Sequence, residues 1–254
     1  MDGQSTMRVI ALHGFTGSAK DFEPLVERLS VHVHALDLVG HGDAPAPERC
    51  EPYRMGMQIG RLAEQIPDEP IVLLGYSIGG RVALRLWPLL RDRLKGLVLI
   101  ATTPGLTDPV ERTERIAQDL ALAAQIETRG VGWFSEYWSE QSIIQSQKHI
   151  APEIREAMGQ RRLANRSVGL ANTLRSLGQG AVDPVWSTLS GLSVPTLLLT
   201  GAQDRKYTDI ASAMAQRIPN ATHQIVDDAG HCVHLEALDV AAVAIQEFLD
   251  SLNE

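Results

Sequence analysis

The chain has 254 residues, a formal net charge of −8 at pH 7 and a 44% share of hydrophobic residues. That length suits one large domain or a domain with an insertion, and the apolar share is enough for a substantial core. The acidic balance argues against non-specific nucleic-acid binding, while leaving room for an anionic small molecule held by local arginines.

The opening residues, Met1–Thr6, contain no basic segment leading into a long apolar one, and no later apolar run approaches membrane-spanning length. A cytoplasmic protein without membrane contact is expected. Short apolar runs then alternate with helical patterns. Residues 8–12 read as a strand, 21–29 as a helix, 32–37 as a strand and 54–66 as a helix. The run Ile71–Leu74 reads as a strand, Arg81–Leu86 as a helix and Leu97–Ile100 as a buried strand. Strands at 196–200 and 222–226 bracket a helix near 210–217, and an amphipathic helix over 239–252 closes the chain. Strands alternating with helices imply an α/β fold with a mostly parallel sheet covered on both faces. Residues 108–189 break the rhythm. They hold helical patterns, no convincing strand, and Trp133, Trp138 and Trp186. We read them as a helical cap inserted between core segments 1–107 and 190–254, the alternative being extra helices packed beside the sheet.

The most informative string is Gly75-Tyr76-Ser77-Ile78-Gly79, between an apolar strand and a helix. The order strand, tight turn, helix puts the Ser77 hydroxyl at a helix N-terminus, where free amides favour developing negative charge. Serine needs a neighbouring base and a group that orients that base. His231, after the last strand, supplies the imidazole. Asp204, after the penultimate strand, lies where functional groups gather in open α/β sheets. Alone it would read equally well as a turn-capping aspartate. Asp227 and Asp228 lie too close to His231 along the chain to orient it easily. After the first strand comes His13-Gly14-Phe15, and the backbone amides of Phe15 and Ile78 are the candidate oxyanion donors.

The other histidines read as structural: His32 and His34 share a strand face without a third ligand, His41 lies in a turn, and His234 supports the loop of His231. Cys50 and Cys232 are too few for a disulfide framework and match no zinc spacing, and Cys232 reads as a small buried residue. No metal or cofactor is expected.

In order, His13-Gly14-Phe15, Gly40-His41-Gly42, the elbow at 75–80, Asp204 and Gly230-His231 resemble the α/β-hydrolase superfamily along nearly the whole chain. More specific strings resemble one family within it, the 2-succinyl-6-hydroxy-2,4-cyclohexadiene-1-carboxylate synthases (the MenH family). These strings are Thr103-Pro104-Gly105-Leu106, Glu111–Arg115, Arg162-Leu163-Ala164-Asn165, Gly178-Gln179-Gly180, Asp204-Arg205-Lys206 and Ala229–Glu236. The resemblance implies a lyase that removes a ring proton and expels pyruvate, with Ser77, His231 and Asp204 as its base. The substrate would carry three carboxylates, which arginine forks suit. Arg81, one helical turn after Ser77, could point toward the site. By resemblance Arg115 and Arg162 line the pocket, Tyr76 and Trp138 are its aromatic contacts, and Lys206 adds positive charge. The alternative for any one of these arginines is a surface ion-pair partner, which weighs most for Arg115 among Glu111, Glu114 and Asp119 and least for Arg81, whose spacing is tied to the elbow. The rival functions are a serine ester or thioester hydrolase and a receptor that binds a small ligand. The oligomeric state stays open, a monomer included.

Overall fold

The structure is a computed structural model that describes residues 7–253, so the opening segment Met1–Thr6 lies outside the described residues. Six strands form one sheet: β1 (Arg8–Leu12), β2 (Val33–Leu36), β3 (Ile71–Tyr76), β4 (Leu94–Ile100), β5 (Thr196–Gly201) and β6 (Ala221–Val226). They lie in the order β2-β1-β3-β4-β5-β6, and every pairing is parallel. Parallel strands need long crossovers, and helices supply them. These are α1 (Glu23–Val26), α2 (Met55–Gln65), α3 (Ile78–Leu86), α4 (Pro109–Ser139), α5 (Pro152–Ala164), α6 (Ser167–Leu177), α7 (Arg205–Ala215), α8 (Val233–Glu236) and α9 (Leu238–Ser251).

Alternation along the strands divides the core. Ile10, Leu12, Ile71 and Leu73 pack on one face with Leu62 of α2, Val82 of α3 and Met214 of α7. Val9, Ala11, Val72 and Leu74 pack on the other with Leu25 of α1 and Ile245 of α9. Both faces of the central strands are therefore covered, and β3 reads as an unbroken apolar run for that reason. The expected helix over 21–29 is shorter than its periodicity suggests. A 3-10 turn at Ala19–Phe22 leads into a four-residue α1 with Pro24 in its first turn.

Between β4 and β5 the described chain holds α4, α5 and α6 with 3-10 segments at Ser142–His149 and Trp186–Gly191, and no strand. Helix α4 is broken at Gly130, whose backbone has φ 84° and ψ 171°. A small apolar cluster of its own, with Ala123, Ile126 and Phe134 of α4 against Leu170 and Leu174 of α6, holds this insertion together. Trp133 and Trp138 border that cluster. Trp186 differs from its expected place: it packs against the sheet's own core and donates its indole N–H to the Gly105 carbonyl at 2.8 Å. Among the described residues no helix is long and apolar enough to cross a membrane.

Candidate active site

Three strand ends meet at one point. Ser77 follows β3 in a backbone conformation with φ 52° and ψ −112°, a region L-residues seldom occupy. The turn is so tight that a Cβ on Gly75 would come within 2.5 Å of the Gly80 Cα. Thr102 braces it by donating its hydroxyl to the Ser77 carbonyl at 2.7 Å. The Ser77 hydroxyl lies 3.0 Å from His231 Nε2, and His231 Nδ1 lies 2.6 Å from Asp204 Oδ2. The network assigns the tautomer: Nδ1–H donates to the carboxylate, leaving Nε2 to accept the serine proton. Asp204 combines both readings open to it in sequence. Its second oxygen accepts from the Tyr207 amide at 3.4 Å and caps α7.

Ile78 is the first residue of α3, so its amide has no intrahelical acceptor. Phe15 lies opposite, after the His13-Gly14 turn, and both residues line the cavity above Ser77. His13 holds that turn in place. Its Nδ1 lies 2.7 Å from the Gly14 carbonyl and its Nε2 accepts from the Leu38 amide at 3.1 Å. Burial pushes its pKa below the ordinary value, which keeps the ring neutral for both roles. A side chain at Gly14 would strike the Tyr76 ring at 2.5 Å.

The cavity has a volume of about 440 Å³, within the usual range for small-molecule sites. The structure brings every remaining candidate from the sequence to its wall: Tyr76, Arg81, Arg115, Trp138, Arg162 and Lys206. Arg81 is buried and spends one N–H on the Leu177 carbonyl at 2.6 Å. Burial lowers its pKa to about 10, so it remains a cation at neutral pH. Arg115 pairs with Asp119 at 2.9 Å, the i,i+4 contact its sequence context allowed. Burial raises the Asp119 pKa against the pull of Arg115 and Arg81. Arg162 is buried, its Nε has no partner among the described residues, and burial lowers its pKa. Its neighbour Arg161 takes Asp21 in a 2.5 Å ion pair. Phe15 meets Trp138 edge-on at 5.4 Å, so the turn after β1 packs directly on the insertion.

Two lining residues escaped the sequence reading. Tyr207 packs against the His231 ring at 4.5 Å, and its hydroxyl accepts from Gln179 Nε2 at 2.7 Å. Gln179 lies in a string quoted for the family resemblance, and Tyr207 stands three residues after Asp204, so proximity to known motifs was the signal. Arg112 does not join the cavity wall; it pairs with Asp183 at 3.0 Å. His32 is exposed and His34 half-buried at the sheet's edge, and Cys232 and His234 are buried.

The alpha/beta hydrolase fold family matches residues 8–238, nearly the whole chain. The chain belongs to the α/β-hydrolase family. A Bacillus subtilis (strain 168) protein provisionally named 2-succinyl-6-hydroxy-2,4-cyclohexadiene-1-carboxylate synthase is 37% identical over 96% of this chain and 90% of its own length. The solved structure of MenH from S. aureus superposes with a TM-score of 0.92 at 29% identity, covering 100% of this chain and 97% of that one. A thermophilic esterase from Thermogutta terrifontis, solved with malate bound, superposes with a TM-score of 0.81 at 26% identity over 98% of this chain and 91% of its own. An α/β-hydrolase scaffold thus accommodates both chemistries, and the choice between them falls to the cavity wall.

Proposed function

We propose that this chain is a carbon–oxygen lyase. It eliminates pyruvate from 2-succinyl-5-enolpyruvyl-6-hydroxy-3-cyclohexene-1-carboxylate to give 2-succinyl-6-hydroxy-2,4-cyclohexadiene-1-carboxylate, a step of menaquinone or phylloquinone biosynthesis. One observation carries the assignment: Arg81, Arg115, Arg162 and Lys206 line a single cavity that also contains Ser77 and His231, with Asp21 and Asp119 as the acids among the described lining residues. Asp21 is already occupied by Arg161. A cavity built for neutral esters has no use for buried guanidinium groups, which are costly to desolvate unless an anion arrives. A substrate with three carboxylates supplies that anion, and relatives of this chain are named as synthases of the corresponding product.

The two names define the bond changes. Moving from a 3-ene to a 2,4-diene removes the proton at C2 and the oxygen at C5. Ser77, its hydroxyl proton passed to His231 Nε2, accepts the C2 proton; Asp204 stabilises the imidazolium that forms. The C2 electron pair moves first onto the succinyl carbonyl oxygen, where the Phe15 and Ile78 amides receive it. Its return forms the C2–C3 double bond, shifts the ring alkene to C4–C5 and expels the enolpyruvyl oxygen. The group leaves as an enolate; it takes the proton held on the His231 imidazolium at its methylene carbon and becomes pyruvate, which returns the imidazole to its neutral form. A placed base is worth about 10²–10⁴-fold, and each oxyanion donor about 10²–10³-fold. In this reading residues 108–189 act as a cap that closes the cavity, the core being 1–107 and 190–254. A cytoplasmic location suits an enzyme acting on a polar trianion.

The test is direct. Purified protein is given the enolpyruvyl substrate and pyruvate is followed with a coupled dehydrogenase, beside a panel of activated esters. Pyruvate release with slow ester turnover is expected. Fast ester cleavage and an untouched enolpyruvyl substrate would replace the lyase by a hydrolase.

A further inference from the structure

Outside the groups already described, one carboxylate is arranged around the reacting histidine. Helix α8 is a single turn, closed by the Leu235 and Glu236 amides donating to the Cys232 carbonyl, each at 2.9 Å. That turn folds the Glu236 side chain back beneath the peptide units flanking His231. Its Oε2 accepts from the Gly230 amide at 2.6 Å, and its Oε1 accepts from the Cys232 amide at 2.9 Å. The two residues adjoining His231 are therefore clamped by the two oxygens of one carboxylate. Oε1 also accepts from the Ser146 hydroxyl at 3.0 Å. Ser146 belongs to the 3-10 segment of the β4–β5 insertion, so the same carboxylate joins the histidine loop to the helices over the cavity.

We infer that Glu236 is a positioning residue for His231, and that through Ser146 it makes the histidine's placement depend on the seating of the insertion. The inference rests on the lyase reading only for its kinetic readout. Charge-assisted bonds are short and directional, which suits a group whose task is to hold a backbone still. Displacing a reacting group by about 1 Å costs about 10²-fold in rate. Among the described residues no other side chain bonds both amides, and a glutamine at this place would oppose one amide N–H with its own NH₂.

Glu236→Gln, Glu236→Asp and Ser146→Ala are made in the full chain. They are assayed for pyruvate release, for thermal unfolding, and for the downfield proton signal of the His231 Nδ1–H···Asp204 bond. Glu236→Gln should lower kcat by about 30–100-fold with KM within about twofold, and shift or broaden the downfield signal while the protein stays folded. Glu236→Asp, too short to reach both amides, should fall between it and the parent. Ser146→Ala should lower kcat a few-fold without altering the melting temperature. A folded Glu236→Gln or Glu236→Asp with parental kcat and an unchanged signal overturns the inference, even if the melting temperature drops. If the parent releases no pyruvate, the lyase reading fails, and the downfield signal still decides the role of Glu236.

Discussion

Helix α3 of the sheet core and helix α5 of the β4–β5 insertion bury different things. Helix α3 in the core buries eight of its nine residues, seven of them uncharged. Helix α5 in the insertion buries one residue, and that residue is Arg162. The core gains its stability from apolar area at about 25 cal/mol per Å², and its strand ends can therefore hold Ser77, His231 and Asp204 rigidly. Beside its own apolar cluster, the insertion accepts on α5 the desolvation of a cation, which does nothing for folding. In the proposed reaction the core supplies the proton relay, and the insertion adds Arg115 and Arg162 to the wall that would receive the substrate. Arg81 bridges the two, rooted in α3 and bonded to the Leu177 carbonyl of α6.

The largest effect should follow from breaking the core's contribution. Ser77→Ala removes the base and should lower kcat for pyruvate release by about 10²–10⁴-fold. Substrate binding, measured by calorimetry, should change little, because the cations remain. Loss of binding along with turnover would mean that the serine holds the ground state, contrary to the division just drawn.

Removing the insertion's contribution should give the reverse pattern. Arg162→Ala should lower kcat/KM by about 10–150-fold, the equivalent of one charge-assisted bond at 1.5–3 kcal/mol. Its melting temperature should hold or rise, since Arg162 Nε has no partner among the described residues. Arg81→Ala should lose a similar factor, and stability as well, because its bond to Leu177 is lost. Parental kcat/KM in both variants would remove the arginines from the substrate site.

The same division governs how much could be read in the sequence. The core was legible because local signals agreed: apolar runs of strand length, glycines around Ser77, and functional residues after successive strands. Its errors were errors of extent, as where Pro24 leaves α1 only one turn long. The insertion was legible as a helical interruption but not in its details. Trp186 carries no local mark of packing on the sheet rather than on α4 and α6. Apart from the family resemblance, nothing in sequence separates Arg115, which lines the cavity, from Arg112, which pairs with Asp183; both sit among acids on one helix. Asp204 was readable as either a cap or a histidine partner, and only the fold shows that its two oxygens do both. Tyr207 and Gln179 meet across 28 positions of sequence, a contact set by the fold rather than by any motif.

The smallest effect concerns pH, and it too belongs to the core. His41 and His234 are fully enclosed there, whereas His149 of the insertion is exposed. His234 packs 4.5 Å from the Tyr76 ring and 5.4 Å from Phe22, with its Nδ1 unpartnered among the described residues. Burial, then the neighbouring His231, push its pKa down to about 3, and burial does the same to His41. Each ring is neutral in the folded chain but binds a proton near pH 6.5 once unfolded. The stability they permit is complete above pH 6.5 and is lost as pH falls toward 3, at a limiting slope of about 1.4 kcal/mol per pH unit for each ring. Between pH 7 and 5.5 each should remove about 1 kcal/mol. His234→Leu, close in volume and unable to bind a proton, should reduce that loss by one ring's share and leave that of His41. Urea unfolding at the two pH values measures it. An undiminished loss in the variant would show that His234 is protonated in the folded state, in contact with solvent that its burial excludes.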